Sequence, residues 1–287
     1  MELNVVAPGA PPEIVWPRML NVGNYNPEEA VAPGDIVAVY GAGLLEGDPI
    51  TVTTLPLPTK VGTDPDSVQV LVNGNAAPIF YARYGQINIQ IPFETSVTQD
   101  AQVQVVRNGI TSPIGTGPMA PRAPQIVQFG CPLVNDCNYQ DNAIGVNFTD
   151  GSFPLPATAP FPNSHPAKAG DVITFCGVGF GQATNPLSTG AGAPSSPLPT
   201  IDPNDQFCFG LAGHAPEPPR PNDLCTPASY SGATPGTVGL YQINVTIPAG
   251  AGTGGSVYIK NSESYSDSVL IVLEWRSRGR LTIGRRG

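Results

Sequence analysis

Long helices have nowhere to form in this sequence. It contains only three Met and three Lys, and no long stretch runs free of Gly or Pro. Charge is scarce as well, at 12% of residues, and the polar surface falls to Thr, Asn, Gln and Ser. The longest aliphatic run, Val269 to Leu273, is far too short to span a bilayer. With two His and no Cys-x-x-Cys, a zinc set has no plausible ligands. What the chain has instead is 33 Gly and 34 Pro alongside 40% apolar residues. A disordered Pro/Gly-rich chain lacks that apolar content, so the composition predicts many short strands joined by turns. At 287 residues there is room for two cores.

The net charge of −9 argues against a nucleic-acid partner, which needs a basic face. The charge is unevenly spread. Residues 1–275 hold eight basic and 22 acidic side chains, a net −14, whereas Arg276, Arg278, Arg280, Arg285 and Arg286 crowd the last twelve residues. The start, Met1-Glu2-Leu3-Asn4, has neither a basic opening nor an apolar stretch, so a secretion signal is expected to have been removed or to lie in a longer precursor.

The chain repeats itself in order. GDIVAVYGAGL at 34–44 returns as GDVITFCGVGF at 170–180, and LeuProThr at 57–59 returns at 198–200. GQINIQIP at 85–92 returns as YQINVTIP at 241–248, and VQVVRNG at 103–109 as VYIKNS at 257–262. Each block alternates or runs apolar as a strand does, and Asn73-Gly74 and Asn108-Gly109 signal tight hairpins. Spacing of about ten residues between strands predicts an all-β chain of two tandem immunoglobulin-like β-sandwich domains. The expected boundaries are an N-terminal extension over 1–19, domain one over 20–117, a Pro-rich linker over 118–124, domain two over 125–275 and an Arg-rich tail over 276–287.

Domain two carries two expected additions: residues 125–166, with a hairpin at Asp150-Gly151, and the Pro-rich insertion 214–223. Five cysteines without a metal pattern suggest disulfides in an oxidising compartment. The short loop predicts Cys131–Cys137, and the bracketed insertion predicts Cys208–Cys225, with Cys176 a buried free thiol. Aligning Gly74 with Gly213 places Phe207, Phe209 and Leu211 on the core face and turns Cys208 outward.

AlaProGlyAspIleValAlaValTyrGlyAlaGlyLeu, LeuProThr, ValAsnGly before AlaAlaProIlePheTyrAla, and GlyGlnIleAsnIleGlnIlePro together resemble the acidobacterial (Solibacter-type) C-terminal domain family, a relative of the IPT/TIG immunoglobulin-like modules. The likeness extends over roughly residues 20–275, and GlyLeuTyrGlnIleAsnValThrIleProAlaGly carries it in the second half. It implies a secreted or surface-exposed protein with no catalytic residues. The cysteines, the Pro-rich insertion and the Arg-rich tail depart from the family pattern.

No catalytic constellation stands out. GxSxG and HExxH are absent, and His165 and His214 each lie near prolines in loops. GlyValGlyPheGly at 177–181 is followed by a Pro/Ser/Gly-rich loop rather than a helix, so its glycines read as a strand bend, not a phosphate loop. Asp202-Pro203-Asn204-Asp205 and the Asn135 to Asp141 loop lack calcium-loop spacing. Tyr81, Tyr84 and Tyr230 are the candidate sugar platform, with core or hairpin packing the favoured reading. Asn147-Phe-Thr and Asn244-Val-Thr match the glycosylation pattern.

The expectation is therefore a non-enzymatic extracellular protein needing no cofactor or metal. Its leading role is structural or adhesive, with head-to-tail self-association or other surface proteins as partners and no membrane insertion. The tail Arg276, Arg278, Arg280, Leu281, Ile283, Arg285 and Arg286 is the expected docking segment, because Leu281-Thr282-Ile283 has strand propensity and sheet edges poor in Lys stay open. The alternative is a carbohydrate-binding accessory module.

Overall fold

In the computed structural model, residues 6–7, 9–23, 29–129, 139–211, 223–251, 255–260, 266 and 269–274 are described. The side chains of residues 16–18 and 211 are left aside. Among the described residues, all regular elements of any length are strands. The first half holds β1 (Glu13–Asn21), β2 (Ile36–Ala42), β3 (Ile50–Thr51), β4 (Lys60–Val61), β5 (Val68–Val72), β6 (Asn75–Ala76), β7 (Ile79–Arg83), β8 (Gln86–Gln90), β9 (Ala101–Arg107), β10 (Ile110–Thr111) and β11 (Gly115–Gly117). The second holds β12 (Gln125–Ile126), β13 (Gly145–Asn147), β14 (Val172–Val178), β15 (Gln206–Leu211), β16 (Leu224–Pro227), β17 (Tyr230–Ala233), β18 (Tyr241–Thr246), β19 (Gly255–Lys260) and β20 (Val269–Leu270).

The strands form antiparallel sheets in two pairs. In the first half, β1-β2-β8-β7-β3 faces β10-β9-β5-β4, with β11 on β9 and β6 on β5. In the second, β12-β14-β18-β17 faces β16-β15-β19-β20, with β13 on β14. Alternation sets the inner faces. Val37, Val39, Ile87 and Ile89 meet Val68, Val70, Val72, Val103 and Val105 in one core. Ile173, Phe175, Ile243 and Val245 meet Phe207, Phe209, Val257 and Ile259 in the other. Asn73-Gly74 and Asn108-Gly109 all take positive φ, as a two-residue hairpin turn of this hand requires.

The repeat persists down to register. Tyr40 opposes Gln86 as Cys176 opposes Gln242, and Ala38 opposes Asn88 as Thr174 opposes Asn244. Each half also buries an Asn–Asp pair at the head of this sheet. Asn21 donates to Asp35 at 2.8 Å, and Asn147 donates to Asp171 at 2.9 Å. The carbonyl of each Asp accepts the amide of Ile91 or Ile247. Val31 bridges Met119 as Ala167 bridges Leu273.

Several boundaries move. Residues 13–19, expected as part of an extension, supply most of β1, which pairs with β2 at Glu13–Ile14 and again at Met19–Asn21. The 118–124 segment is likewise no free linker, because Met119 bridges Val31 and Arg122 is anchored to Phe180 O. These two Pro-rich stretches lead into the same element in each half. Glu13 and Ile14 oppose Ala42 and Gly41, just as Gln125 and Ile126 oppose Val178 and Gly177. The glycines of both bends make room for that lead-in: a Cβ on Gly41 would lie 2.2 Å from Glu13 O, and one on Gly179, at φ +75°, 2.1 Å from Ala123 O.

The LeuProThr blocks, matched in sequence, serve opposite ends of their sheets. Pro58 O accepts from Ile79 at the start of β7, whereas Pro199 O accepts from Ala233 at the end of β17. The second-sheet alignment also shifts by two residues. Val72 opposes Val103, and it is Phe209, not Leu211, that opposes Val257. A shift of two keeps every side chain on its face, so Phe207 and Phe209 remain in the core. Cys208 faces away from that core yet is fully buried rather than exposed, and a disulfide joins it to Cys225 directly across β16. Cys176 carries a free thiol, as expected, but is half-buried rather than buried, and that burial pushes the thiol up. Cys131, Cys137, His214, most of the 214–223 insertion, and Trp275 with the Arg276, Arg278, Arg280, Leu281, Ile283, Arg285 and Arg286 tail lie outside the described residues.

The halves are joined by more than the chain. A loop of the second half reaches the end of the first, where Thr189 Oγ1 accepts the Phe93 amide at 3.0 Å and donates to Glu94 at 2.7 Å. Next to it the Gly190 amide donates to Gln90 Oε1 at 2.7 Å, and its carbonyl accepts the Leu57 amide at 2.8 Å. Gly239 packs so closely on Ile36 and Gly34 that a Cβ there would come within 2.8 Å of both.

Candidate functional site

At the equivalent end of the second half, around Gly170 and Asp171, no such cap is present among the described residues. A Cβ built on Gly170 meets nothing within 4 Å, whereas one on its counterpart Gly34 would strike the Phe93 ring. Two excursions longer than their counterparts in the first half flank β13. One departs after β12 and returns through Asn142 and Ala143 into β13; the other runs from β13 to Ala167. They pack on each other through aromatic rings. Phe161 lies 4.9 Å from Phe129, 5.6 Å from Phe153 and 6.4 Å from Tyr139 between centroids, a small core of its own.

The turn that opens the second excursion, residues 147–152, is tied at every step. Asn147 Oδ1 accepts the Thr149 amide, Asp150 Oδ1 accepts the Ser152 amide, and the Gly151 amide donates to Asn147 O. Through its amide nitrogen, Asn147 is fastened to the buried Asp171. This answers the glycosylation pattern at Asn147: the side chain that would carry a glycan is buried and engaged. A turn is therefore present at Asp150-Gly151, but β13 pairs with β14 and not with a hairpin partner of its own.

On this turn Phe148 projects with 74% of its surface exposed, more than the other large exposed apolar residues among those described. Beside it Asp150 Oδ2 lies 3.0 Å from His165 Nε2, while His165 Nδ1 lies 3.0 Å from Pro166 O. Both ring nitrogens thus face acceptors, which favours the doubly protonated ring. The Pro166 carbonyl and then Asp150 raise His165 above its ordinary value, against the opposing effect of burial. Asp150 is held low, first by its bonds to Ser152 and then by His165. A ring with both nitrogens donating has no lone pair to take a proton from a nucleophile.

The other candidate residues disperse. Tyr81 and Tyr230 hold matching places, opposite Asn88 and Asn244, but in different sheets. Tyr84 accepts the Val6 amide, and the Tyr230 hydroxyl is buried. These tyrosines make no common platform. Asp202 accepts from Asn204, and Asp205 is engaged by Arg122, so that acidic loop is occupied by its own neighbours. Among the described residues, no three His, Cys, Asp or Glu side chains converge as a metal would need, and no helix is long and apolar enough to cross a membrane. Sequence reading missed Phe148 and the ring cluster, because Phe spaced through Pro-rich loops carries no periodic signal.

No family model matches the chain, and no curated protein matches its sequence. Among solved structures it is similar to the surface glycan-binding protein PbSGBP-B of Prevotella bryantii, at 13% identity and a TM-score of 0.26 over 91% of this chain and 42% of that one. It is also similar to SGBP-B from a complex xyloglucan utilization locus in Bacteroides uniformis, at 10% identity and 0.25 over 91% and 49%. Bovine butyrophilin matches at 9% identity and 0.22, over 93% of this chain and all of that one. The chain spans less than half the length of the two glycan-binding proteins. None of the three lends a site to it.

Proposed function

We propose that the chain is a non-catalytic extracellular structural or adhesive protein whose repeated halves stack into one stiff body, a subunit suited to a surface layer or filament. The observation that carries this reading is the lock at the junction, where Thr189 and Gly190 satisfy backbone and side-chain groups of the first half. Bonds of that kind suit a load-bearing spacer better than a flexible pair of beads. The Cys208–Cys225 disulfide supports an oxidising location. The doubly engaged His165 supports a non-enzymatic role. Assembly through the basic tail is part of the proposal, since five Arg face a body of net −14.

Electron microscopy and sedimentation test it. Full-length protein is expected to form concentration-dependent polymers that shorten in high salt, and deletion of residues 276–287 is expected to leave single particles. Full-length and truncated proteins that sediment alike at low and high salt would remove the assembly role.

A second reading, a carbohydrate-binding accessory module, is favoured by one observation: the exposed Phe148 ring on a rigid turn beside Asp150 and His165.

A further inference from the structure

Among the described residues, large apolar side chains are mostly buried, and Phe148 is the strongest exception. Its position is not a loose loop tip. The turn beneath it is capped at Thr149 and at Ser152 and anchored through Asn147 to a buried carboxylate. The Phe148 amide itself donates to Val172 O. In the first half the matching residue is Val22, whose amide donates to Ile36 O. Its neighbour Gly23 packs on Gln125 and Val178 of the second half. One repeat thus spends this end on docking its neighbour, while in the other no described residue docks on it and an exposed aromatic ring stands there.

We propose that this open end is a binding subsite for a neutral saccharide, with one sugar ring stacked on Phe148 and hydroxyl groups hydrogen-bonded to Asp150. The proposal rests on the second reading above and names its site.

The chemistry fits in three respects. A flat ring with 74% of its surface exposed offers a surface for the C–H face of a pyranose, and the fixed turn means little ordering is left to be lost on binding. Asp150 keeps acceptor capacity beyond its bonds to Ser152 and His165, and it is only half-covered. His165 holds that carboxylate in place from the far side of the excursion, so it is a positioning residue. The charge excludes acidic sugars. Asp150 is itself a carboxylate and the chain carries a net charge of −9, so a uronate or sialate would approach against repulsion.

Native affinity gels cast with soluble β-glucan, xylan, galactomannan, dextran or polygalacturonate, followed by titration calorimetry with the matching oligosaccharides, test the site. At least one neutral polymer is expected to retard the full chain, and polygalacturonate is not. Phe148→Ala is expected to weaken binding ~10-fold or more, as loss of an aromatic contact does. His165→Gln is expected to weaken it less and to shift its pH profile. Ile114→Ala removes another exposed apolar side chain far from the turn and should bind as the unaltered protein does. Retardation that survives Phe148→Ala would overturn this site while leaving carbohydrate binding standing. Retardation by polygalacturonate alone would overturn the neutral class. No retardation by any polymer would end both the site and the reading beneath it.

Discussion

Val39 and Phe175 hold the same register position in the two halves, as do Leu44 and Phe180, and Gly85 and Tyr241. Among the described residues, the core cluster of the first half contains no aromatic ring, whereas that of the second takes four Phe and Tyr241. The substitutions are coupled. Tyr241 fills the space left by a glycine in the first half, lies 5.2 Å from Phe180, and donates a hydrogen bond from its hydroxyl to Gly181 O. Register and side-chain volume are therefore separable in this fold. Strand pairing fixes which residues face inward, and several neighbouring volumes must then change together to refill the space.

The sharpest way to break the comparison is at the two lead-ins. In the first half, Arg107 from β9 holds the lead-in by donating to Gly43 O and Ala10 O, and pairs with Glu46 at 2.9 Å. In the second half the arginine sits on the lead-in itself, where Arg122 donates to Phe180 O and to both oxygens of Asp205. Burial pushes Asp205 upward and outweighs Arg122, so this carboxylate depends on its guanidinium. Arg122→Met should cost about 3 kcal/mol in chemical denaturation, since it strands a buried charge. Adding Asp205→Asn to that variant should recover part of the loss. A double variant less stable than the single one would show that Asp205 is not the reason.

Core exchange is expected to have the next largest effect. Phe175→Val should cost about 2–3 kcal/mol by leaving a cavity. The reverse change, Val39→Phe, should cost about 1–3 kcal/mol by overfilling a core with no room set aside. If Val39→Phe proved neutral, the first half would be more loosely packed than its fully buried valines indicate. Thermal melts of both variants read this directly.

How much of this was legible in the sequence depends on what carried the signal. Alternation in 34–44, 85–92 and 103–109 and their counterparts revealed the all-β character and the core-facing residues, because burial on one face of a strand imposes period two. The lead-in of the first half was hidden. Its stretch before β1 is rich in Pro, and β1 shifts register between Ile14 and Met19, so no alternation survives. LeuProThr misled for a related reason: a short turn motif can recur in sequence while its chain crosses a different end of the sheet. The Asn–Asp pairs were visible in principle as Asn21 with Gly34-Asp35 and Asn147 with Gly170-Asp171, but the partners lie 14 and 24 residues apart across insertions of unequal length. Phe148 was masked by the glycosylation pattern in which it sits. Exposure of a single ring is decided by what fails to cover it, and that is a tertiary fact.

The smallest expected effect concerns those Asp residues. Asp35 is covered by the second half, and burial pushes its carboxyl well above the ordinary value of 3.8. The hydrogen bonds from backbone amides and from Asn21 favour the anion but do not outweigh that burial. Burial first, and then the charge of Asp35, raise the phenol of Tyr241. The folded state therefore holds the Asp35 proton more tightly than the unfolded chain does. Its contribution to stability is complete below 3.8, declines as pH climbs toward the folded value, and is lost above it. Asp35→Asn keeps an acceptor for Asn21 and removes the charge, so its melting temperature should lose part of the fall with rising pH seen in the unaltered protein. The variant should gain relative to the unaltered protein at neutral pH and not in acid. Asp171→Asn provides the control. Asp171 accepts from Lys168 N and Asn147 at the uncapped end, so its replacement should lower stability through those bonds. A difference between the two variants that disappears when the junction is loosened by Gln90→Ala would assign the effect to the docked second half. Equal pH profiles for the two Asn variants with the junction intact would mean that covering this end does not set the carboxyl's behaviour.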